Sequence, residues 1–472
     1  MKHLAFNPYL PTWEFIPDGE PHVFDGRLYV YGSHDLYDGD VFCLQDYTVW
    51  SAPVDDLGDW RCEGVAFRKT DDPRNADGRM NLFAPDAARG PDGRYYLYYV
   101  LDGRGTVSVA VSDAPGGPFR YLGDVRDADG ALLGERPGDE PQFDPGVLTE
   151  GDRTYLYTGF SGPQDATRHG AMATVLGPDM LTIVEEPRFI VPGGAYAGGT
   201  SFEEHPFFEA SSIRRHGDDY VFVYSSAAMH ELCYATSKSP TDGFVYGGVI
   251  VSNCDLGIAD GKPADKPMAA GGNNHGGLVE VGGQWYIFYH RQTNGTWYSR
   301  QGCAEPVFWK DGRLAQAAMS SCGLNGGPLP AEGRYPADIA CHLFTPDQPV
   351  YAGVPGQPRI KRDARDGEHG SGYIADIRDR TVIGFRSFDC RGVKTVSVWT
   401  RGYTRGTYQV MTAWDGPVLA EIPVDFSNSW VERKAALALP DGVHDLYLRF
   451  IGGGQTGQGL GGSLKAIGFG KD

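Results

Sequence analysis

Long apolar runs are missing from this sequence of 472 residues. No stretch approaches the roughly 18 consecutive apolar residues that a transmembrane helix needs, and the opening segment MKHLAFNPYLPTWEF has no apolar core of signal-peptide type. Excess positive charge is also missing, because 42 Lys and Arg stand against 61 Asp and Glu, a net charge of −19. These features argue against nucleic acid or an anionic membrane as a partner, and we expect a cytoplasmic protein.

Motifs for metal clusters and nucleotides are absent too. The eight cysteines are scattered without a C-x-x-C pair, which favours free thiols over a disulfide framework or a zinc site. The sequence has no G-x-G-x-x-G followed by a helix, no Walker loop and no H-E-x-x-H. No organic cofactor is therefore expected.

What the sequence does contain is a cassette that recurs five times, with lead residues 58 to 68 positions apart. Each copy joins a polar lead residue, a short hydrophobic run, a Gly/Asp turn and an aromatic strand. The copies begin at Asp18 (DGEPHVFDGRLYVY), Asp86 (DAARGPDGRYYLYY), Asp144 (DPGVLTEGDRTYLYTG), Glu209 (EASSIRRHGDDYVFVYS) and His275 (HGGLVEVGGQWYIFYH). A repeat of mostly β-structure at this period predicts propeller blades, whose first strands surround a common axis.

The pattern predicts an all-β protein with a five-bladed β-propeller over residues 1–330. Residues 331–372 are rich in Gly, Pro and charge, as linkers are. Beyond them, segments such as Val396–Trp414 alternate with period two but lack the cassette, which predicts a C-terminal β-sandwich accessory domain over 373–472. An aromatic content of 12%, with 26 Tyr, suits β-strands and also sugar-binding surfaces.

Several short motifs fall at the cassette leads in a fixed order. The first is Asp18 with Glu20-Pro21 and then Ser33-His34-Asp35; the second is Ala84-Pro85-Asp86; the third is Phe207-Phe208-Glu209-Ala210-Ser211. In this order they resemble glycoside hydrolase family 43, five-bladed propeller enzymes that hydrolyse arabinofuranosides and β-xylosides. The resemblance covers about residues 5–330, and the tail is similar to β-sandwich modules related to carbohydrate-binding family 6.

The resemblance implies a catalytic trio of Asp18, Asp86 and Glu209. Asp18 would be the base, although Glu20 competes for this role; Asp18 stands 11 residues before Tyr29, the spacing that also separates Asp144 from Tyr155. Asp86 would tune and orient the acid. Glu209 would be the acid, because an aromatic environment desolvates a carboxylate and raises its pKa.

The resemblance also implies supporting residues. His34, Asp35, Phe83, Asp144, His275 and Arg300 are expected to contact substrate or support the site. His275 would additionally face a structural calcium ion on the propeller axis, although Ca²⁺ prefers oxygen ligands.

The favoured function is an inverting exo-glycosidase that releases terminal α-L-arabinofuranosyl units from oligosaccharides. A β-D-xylosidase or β-galactofuranosidase on the same scaffold and a non-catalytic carbohydrate-binding propeller remain alternatives. A retaining fructan- or levan-cleaving propeller would need an N-terminal Asn-Asp-Pro-type motif, and Asn7-Pro8 lacks that Asp. Nothing in the sequence indicates the oligomeric state.

Overall fold

The computed structural model describes residues 2–347, 350–362, 372–452 and 461–471. Within these ranges it contains 33 β-strands and four helical segments, each a single 3₁₀ turn: Lys69–Asp71, Pro73–Asn75, Gly323–Asn325 and Ala337–Ile339. The predicted all-β class is confirmed. In the described part of the chain, no helix is long and apolar enough to cross a membrane.

Five antiparallel sheets follow one another in the first two thirds of the chain, and within each sheet the strands pair in chain order. The first is β1 (Glu20–Phe24), β2 (Arg27–Tyr31), β3 (Tyr47–Pro53) and β4 (Arg61–Phe67); the second is β5 (Asp86–Arg89), β6 (Tyr95–Tyr99), β7 (Ser108–Ser112) and β8 (Arg120–Asp124). The third is β9 (Gly146–Glu150), β10 (Arg153–Thr158), β11 (Gly170–Leu176) and β12 (Ile183–Pro192). The fourth is β13 (Phe207–His216), β14 (Asp219–Ser226), β15 (Glu231–Ser237) and β16 (Val245–Ser252). The fifth is β17 (Leu278–Val281), β18 (Gln284–Arg291) and β19 (Gln301–Val307), followed by the hairpin β20 (Trp309–Lys310) and β21 (Arg313–Leu314).

The cassette forms the first hairpin of each sheet. In the first sheet Asp25 and Gly26 join the strands with φ of 49° and 78°, and in the fifth sheet Gly282 and Gly283 do so with φ of 60° and 85°. Two consecutive positive φ angles make the tight turn that matches the twist of a hairpin, which explains the Asp-Gly and Gly-Gly pairs.

The five sheets contact one another through their first strands. The first strand of each sheet contacts the first strand of the next, and β17 of the last sheet contacts β1 of the first. Buried side chains fill the space between neighbouring sheets: Tyr98 and Leu156 share one cluster, and Leu28 of the first sheet shares another with Phe288 of the fifth. Gly19 and Gly276 also form a parallel bridge between the first and last cassettes.

The described residues in the rest of the chain form two six-stranded sheets around one hydrophobic core. One sheet contains β22 (Leu329–Pro330), β24 (His342–Phe344), β27 (Val382–Asp389), β29 (Gly406–Met411), β30 (Ala420–Val424) and β32 (Val443–Gly452). The other contains β23 (Gly333–Pro336), β25 (Arg359–Arg362), β26 (Gly372–Ile377), β28 (Thr395–Gly402), β31 (Ser427–Ala436) and β33 (Gly462–Gly470).

The segment 331–372 is not the linker that its composition predicts. Its described residues supply β23, β24 and β25, and Tyr335 and Ile360 are buried in the C-terminal core. Gly and Pro are frequent there because the strands are short and joined by turns. Residues 363–371 of the expected linker lie outside the described residues.

A buried charge network joins the two parts of the molecule. The Asp255 carboxylate follows β16 and lies 2.9 Å from His342 Nε2 and 3.4 Å from Arg386 Nη1, both of the C-terminal sheets. Burial alone would raise the pKa of Asp255, but His342 and Arg386 outweigh it and the pKa is lowered.

We therefore expect Asp255→Asn to lower the free energy of unfolding by about 3 kcal/mol, since it removes the carboxylate partner of the buried His342 and one of the three carboxylates around Arg386. Asp255 has a φ of 62°, which Asn tolerates, so the loss reports the charge. Asp260→Asn is the control, because Asp260 also meets Arg386 but its side chain is 74% exposed. Urea unfolding with equal midpoints for both variants would contradict this account.

Candidate active site

A pocket opens where the inner strands converge, with a cavity volume of about 210 Å³. Polar groups and apolar side chains from all five cassettes and their flanking loops line it. The lining residues are Asp18, Phe42, Cys43, Phe83, Ala84, Phe143, Asp144, Phe208, Glu209, Met229, Asn273, His275, Trp297 and Arg300.

Left-handed backbone conformations hold the carboxylates in this pocket. Asp18 and Asp144 each stand two residues before an inner strand, with φ of 57° and 44°, and Ala210 after Glu209 has φ of 69° within an irregular stretch of β13. Asp tolerates this region better than most residues, whereas for Ala it is strained. Strain of this kind is typical of functional sites, where the fold fixes the direction of a side chain.

Asp18 is held as an ion by two partners. Its Oδ1 accepts a hydrogen bond from Arg300 Nη1 at 2.9 Å and lies 3.0 Å from His290 Nδ1. Burial would raise the pKa of Asp18, but Arg300 and His290 outweigh it and hold the pKa far below its usual range. His290 Nε2 lies 2.7 Å from the carbonyl oxygen of Asn273, a second contact that orients the ring.

Arg300 is oriented by Asp35. The guanidinium donates from Nε and Nη2 to the two oxygens of Asp35 at 2.9 and 3.0 Å, a bidentate pair that leaves Nη1 for Asp18.

Asp35 is fully buried behind Arg300, and His34 Nδ1 lies 2.9 Å from the Asp46 carbonyl oxygen. Neither His34 nor Asp35 lines the pocket, whereas Phe83, Asp144, His275 and Arg300 do.

Glu209 and Asp144 form a second carboxyl pair. Burial and the charge of Asp18 raise the pKa of Glu209 to about 8. Burial and the neighbouring Glu209 likewise raise the pKa of Asp144, whose Oδ2 accepts from the Ala210 amide at 3.2 Å. Two carboxyl groups this close to each other in an apolar site cannot both ionise easily, so the pair retains a proton near neutral pH.

His275 lies beside this pair. Its Nδ1 is 3.5 Å from Asp144 Oδ2, and its Nε2 is buried without a hydrogen-bond partner among the described residues. Burial lowers the pKa of His275 to about 4, so the ring is neutral. A bare ring nitrogen would suit a metal ion, but the groups of potential ligands in the described ranges do not include His275. Ca²⁺ takes six to eight oxygen ligands, so an ion facing His275 would need carboxylate and water oxygens to complete its shell.

Asp86 lies apart from the pocket, in a deeper layer with Glu20. Its Oδ1 is 2.6 Å from His22 Nε2, and its Oδ2 accepts from the Val147 amide at 2.7 Å. Glu20 is fully buried and accepts from Ser212 Oγ and Arg214 Nη2. Although Glu20, His22 and Asp86 are close enough to bind one ion, the Arg214 guanidinium lies 2.8 Å from Glu20 and 3.4 Å from His22 and opposes a cation there.

The hairpin register explains why Asp86 differs from Asp18. Asp86 pairs with Tyr98 as Glu20 pairs with Tyr31 and Gly146 with Tyr157. The position two residues earlier is Asp18 in the first sheet, Asp144 in the third and Ala84 in the second. The second cassette therefore presents Ala84 to the pocket, and the carboxyl neighbour of Glu209 is Asp144.

Aromatic side chains around the pocket were only partly anticipated. Phe83, Phe143 and Phe208 each stand directly before a pocket residue, and with Phe160 they form a series with ring centroids 5.2 to 5.6 Å apart. A Phe directly before the lead residue is the signal that could have identified Phe143 and Phe208, whereas Phe83 precedes Ala84 and not the lead Asp86. Trp297 and His290 carry no such signal, because they reach the site from the last sheet and its loop.

Comparison with known proteins identifies the family. The profile of "Glycosyl hydrolases family 43" matches residues 14–314. A "Xylosidase/arabinosidase" of Thermoclostridium stercorarium is 60% identical over 97% of this chain and 98% of its own length. A "Xylosidase/arabinosidase" of Bacteroides ovatus is 31% identical over 65% of this chain and 96% of its own length.

Solved structures that are similar to this chain also come from family 43. A family 43 enzyme from Xanthomonas citri complexed with xylose has a TM-score of 0.54 at 26% identity, covering 66% of this chain and 93% of its own. A β-xylosidase/α-arabinofuranosidase from a compost metagenome, with xylotriose and in a calcium-free form, has a TM-score of 0.51 at 26% identity, covering 67% and 97%. An arabinoxylan arabinofuranohydrolase of Bacillus subtilis covers 99% of this chain and 97% of its own with a TM-score of 0.53; at 21% identity it shows the fold alone. This chain belongs to family 43 of the glycosyl hydrolases and is a glycoside hydrolase.

Proposed function

We propose that this enzyme is an inverting exo-glycosidase that releases terminal α-L-arabinofuranosyl units from oligosaccharides. One observation carries the proposal: a single pocket holds a carboxylate kept ionised, Asp18, and a carboxyl kept protonated, Glu209. Inverting hydrolysis needs both forms at once, one as base and one as acid. A non-catalytic sugar-binding site has no need for such opposed pKa values.

In the proposed mechanism Glu209 gives its proton to the glycosidic oxygen as the bond from that oxygen to the anomeric carbon breaks. A water molecule on the opposite face of the sugar forms the new bond to the anomeric carbon, and Asp18 accepts its proton. Arg300 and His290 orient Asp18, and Asp35 orients Arg300. Asp144 takes the role that the sequence assigned to Asp86, since burial and the neighbouring Glu209 raise the pKa of Asp144 and the two carboxyl groups do not readily ionise together.

The scaffold that we propose is a five-bladed β-propeller carrying this pocket, followed by a C-terminal β-sandwich. The ring of contacting inner strands supports the first part. Two sheets sharing one hydrophobic core support the second.

A β-D-xylosidase on the same site is the second candidate. Its support is that similar proteins are named xylosidase/arabinosidase, and that the Xanthomonas citri enzyme is complexed with xylose. Initial rates on para-nitrophenyl α-L-arabinofuranoside, β-D-xylopyranoside and β-D-galactofuranoside test the choice. The highest kcat/KM on the arabinofuranoside supports the proposal, and a highest value on the xylopyranoside replaces it with the second candidate.

The pH dependence follows from the same groups. Glu209 must be protonated to act, so kcat/KM should fall as pH rises through about 8. Asp18 must be ionised, and its low pKa keeps it so through the mildly acidic range.

Asp144→Asn should move this alkaline limb to lower pH by about one unit, because Glu209 then titrates without a neighbouring carboxyl. Asp92→Asn, an exposed change on the second sheet, is the control. An alkaline limb that stays in place in Asp144→Asn would show that Asp144 does not set the protonation of Glu209.

A further inference from the structure

The indole ring of Trp297, one wall of the pocket, fits between two glycines. A Cβ atom added to Gly353 would lie 3.1 Å from Trp297 Nε1, and one added to Gly272 would lie 3.0 Å from its Cζ3. At these distances the ring must shift by a few tenths of an ångström, and a Cβ on Gly272 would in addition meet the Gln292 side chain at 2.6 Å. The position of Trp297 therefore depends on the absence of side chains on both flanks.

Gly353 belongs to the C-terminal part of the chain, in a segment that is hydrogen-bonded to two pocket loops. The Gly271 amide donates to the Val350 carbonyl at 2.9 Å, and the Ala352 amide donates back to the Gly271 carbonyl at 3.0 Å. The Gly353 amide donates to the Gly295 carbonyl at 2.8 Å. These loops supply Asn273 and His275 on one side and Trp297 and Arg300 on the other.

Further along, the same segment continues into β25, which extends the contact. The Ile360 amide donates to the Thr293 carbonyl at 2.9 Å, and Arg362 Nη1 donates to the Trp13 carbonyl at 3.1 Å. Backbone hydrogen bonds on both loops fix them to one rigid neighbour, as a preorganised site requires.

We propose that the segment 350–353 of the C-terminal module is a positioning element of the active site, with Gly353 setting the place of Trp297 as a specificity-determining wall of the sugar pocket. This rests on the proposed glycosidase function. The C-terminal module then supports the Trp297 wall of the pocket through this segment, in addition to any separate role in binding polysaccharide. Trp297 contacts substrate, and Gly353 acts only through Trp297.

A double-mutant cycle tests this coupling. We expect Gly353→Ala to lower kcat/KM about 5-fold on the best-cleaved para-nitrophenyl pentoside, and Trp297→Ala to lower it about 30-fold. In the Trp297→Ala background, Gly353→Ala should change kcat/KM by less than about 2-fold, because the ring it would displace is gone. The ratio of kcat/KM for arabinofuranoside over xylopyranoside should also change in Gly353→Ala.

Gly333→Ala is the matched control. Gly333 has a φ of +74° against +78° for Gly353, so both substitutions strain the backbone alike, but a Cβ on Gly333 meets nothing within 4 Å. Thermal unfolding shows whether both variants are folded.

The proposal is overturned if Gly353→Ala and Gly333→Ala have the same kcat/KM. It is also overturned if Gly353→Ala lowers kcat/KM by the same factor in the Trp297→Ala background as in the parent enzyme. If no pentoside is cleaved, the proposed function itself fails. In that case calorimetry measures the affinity of the same four proteins for L-arabinose and D-xylose. If the effects of Gly353→Ala and Trp297→Ala on affinity are then independent of each other, the positioning role is overturned.

Discussion

Glu209→Gln is expected to lower kcat on oligosaccharide substrates about 10³- to 10⁴-fold while leaving the fold intact, because it removes the proton donor and keeps the shape of the side chain. On para-nitrophenyl glycosides the loss should be smaller, about 10- to 100-fold, since this leaving group needs little protonation. The difference between the two losses is the signature of a general acid.

Glu204→Gln is a suitable control for this experiment. Glu204 is exposed five residues earlier in the same chain segment and does not line the pocket. Its substitution should leave both rates within about 2-fold of the parent enzyme. Equal losses on aryl and oligosaccharide substrates in Glu209→Gln would show that Glu209 is not the acid.

Asp18→Asn is expected to lower kcat at least about 10³-fold whatever the leaving group, because every inverting turnover needs its water deprotonated. Asn also weakens the contacts with Arg300 and His290 that Asp18 makes as an ion. Steady-state kinetics on aryl and oligosaccharide substrates should therefore give similar losses, unlike those of Glu209→Gln.

Glu20→Gln is the matched comparison. Glu20 lies two residues from Asp18 but is buried in the deeper layer with Ser212 and Arg214. Glutamine can still accept from both, so we expect kcat to change by less than about 5-fold. An inactive Glu20→Gln beside an active Asp18→Asn would reverse the assignment of the base.

The cassette predicts the positions of the pocket residues where its spacing is uniform. Asp18, Asp144 and Glu209 all come from cassette leads and meet in one pocket. Asp86 does not, because in the hairpin register it pairs with Tyr98 as Glu20 pairs with Tyr31, two residues after the position that Asp18 occupies. The second hairpin is one residue longer, since 12 positions separate Asp86 from Tyr98 and 11 separate Glu20 from Tyr31, so spacing in the sequence did not reveal the shift.

Other features depend on contacts that no local pattern encodes. The resemblance placed His34 and Asp35 at the sugar, whereas Asp35 holds Arg300 from behind. The short strands of the segment 331–372 form because neighbouring sheets supply their hydrogen-bond partners, which composition does not reveal. The Trp297 wall likewise requires Gly272 and Gly353, 81 positions apart in the sequence.

The stereochemistry of the first product tests the central claim most directly. Proton NMR of para-nitrophenyl α-L-arabinofuranoside during rapid hydrolysis distinguishes the two anomers before they interconvert. With Glu209 as acid and Asp18 activating water from the opposite face, the β-anomer of arabinose should appear first. If the α-anomer appears first, hydrolysis proceeds with retention, and the roles assigned to Asp18 and Glu209 are contradicted.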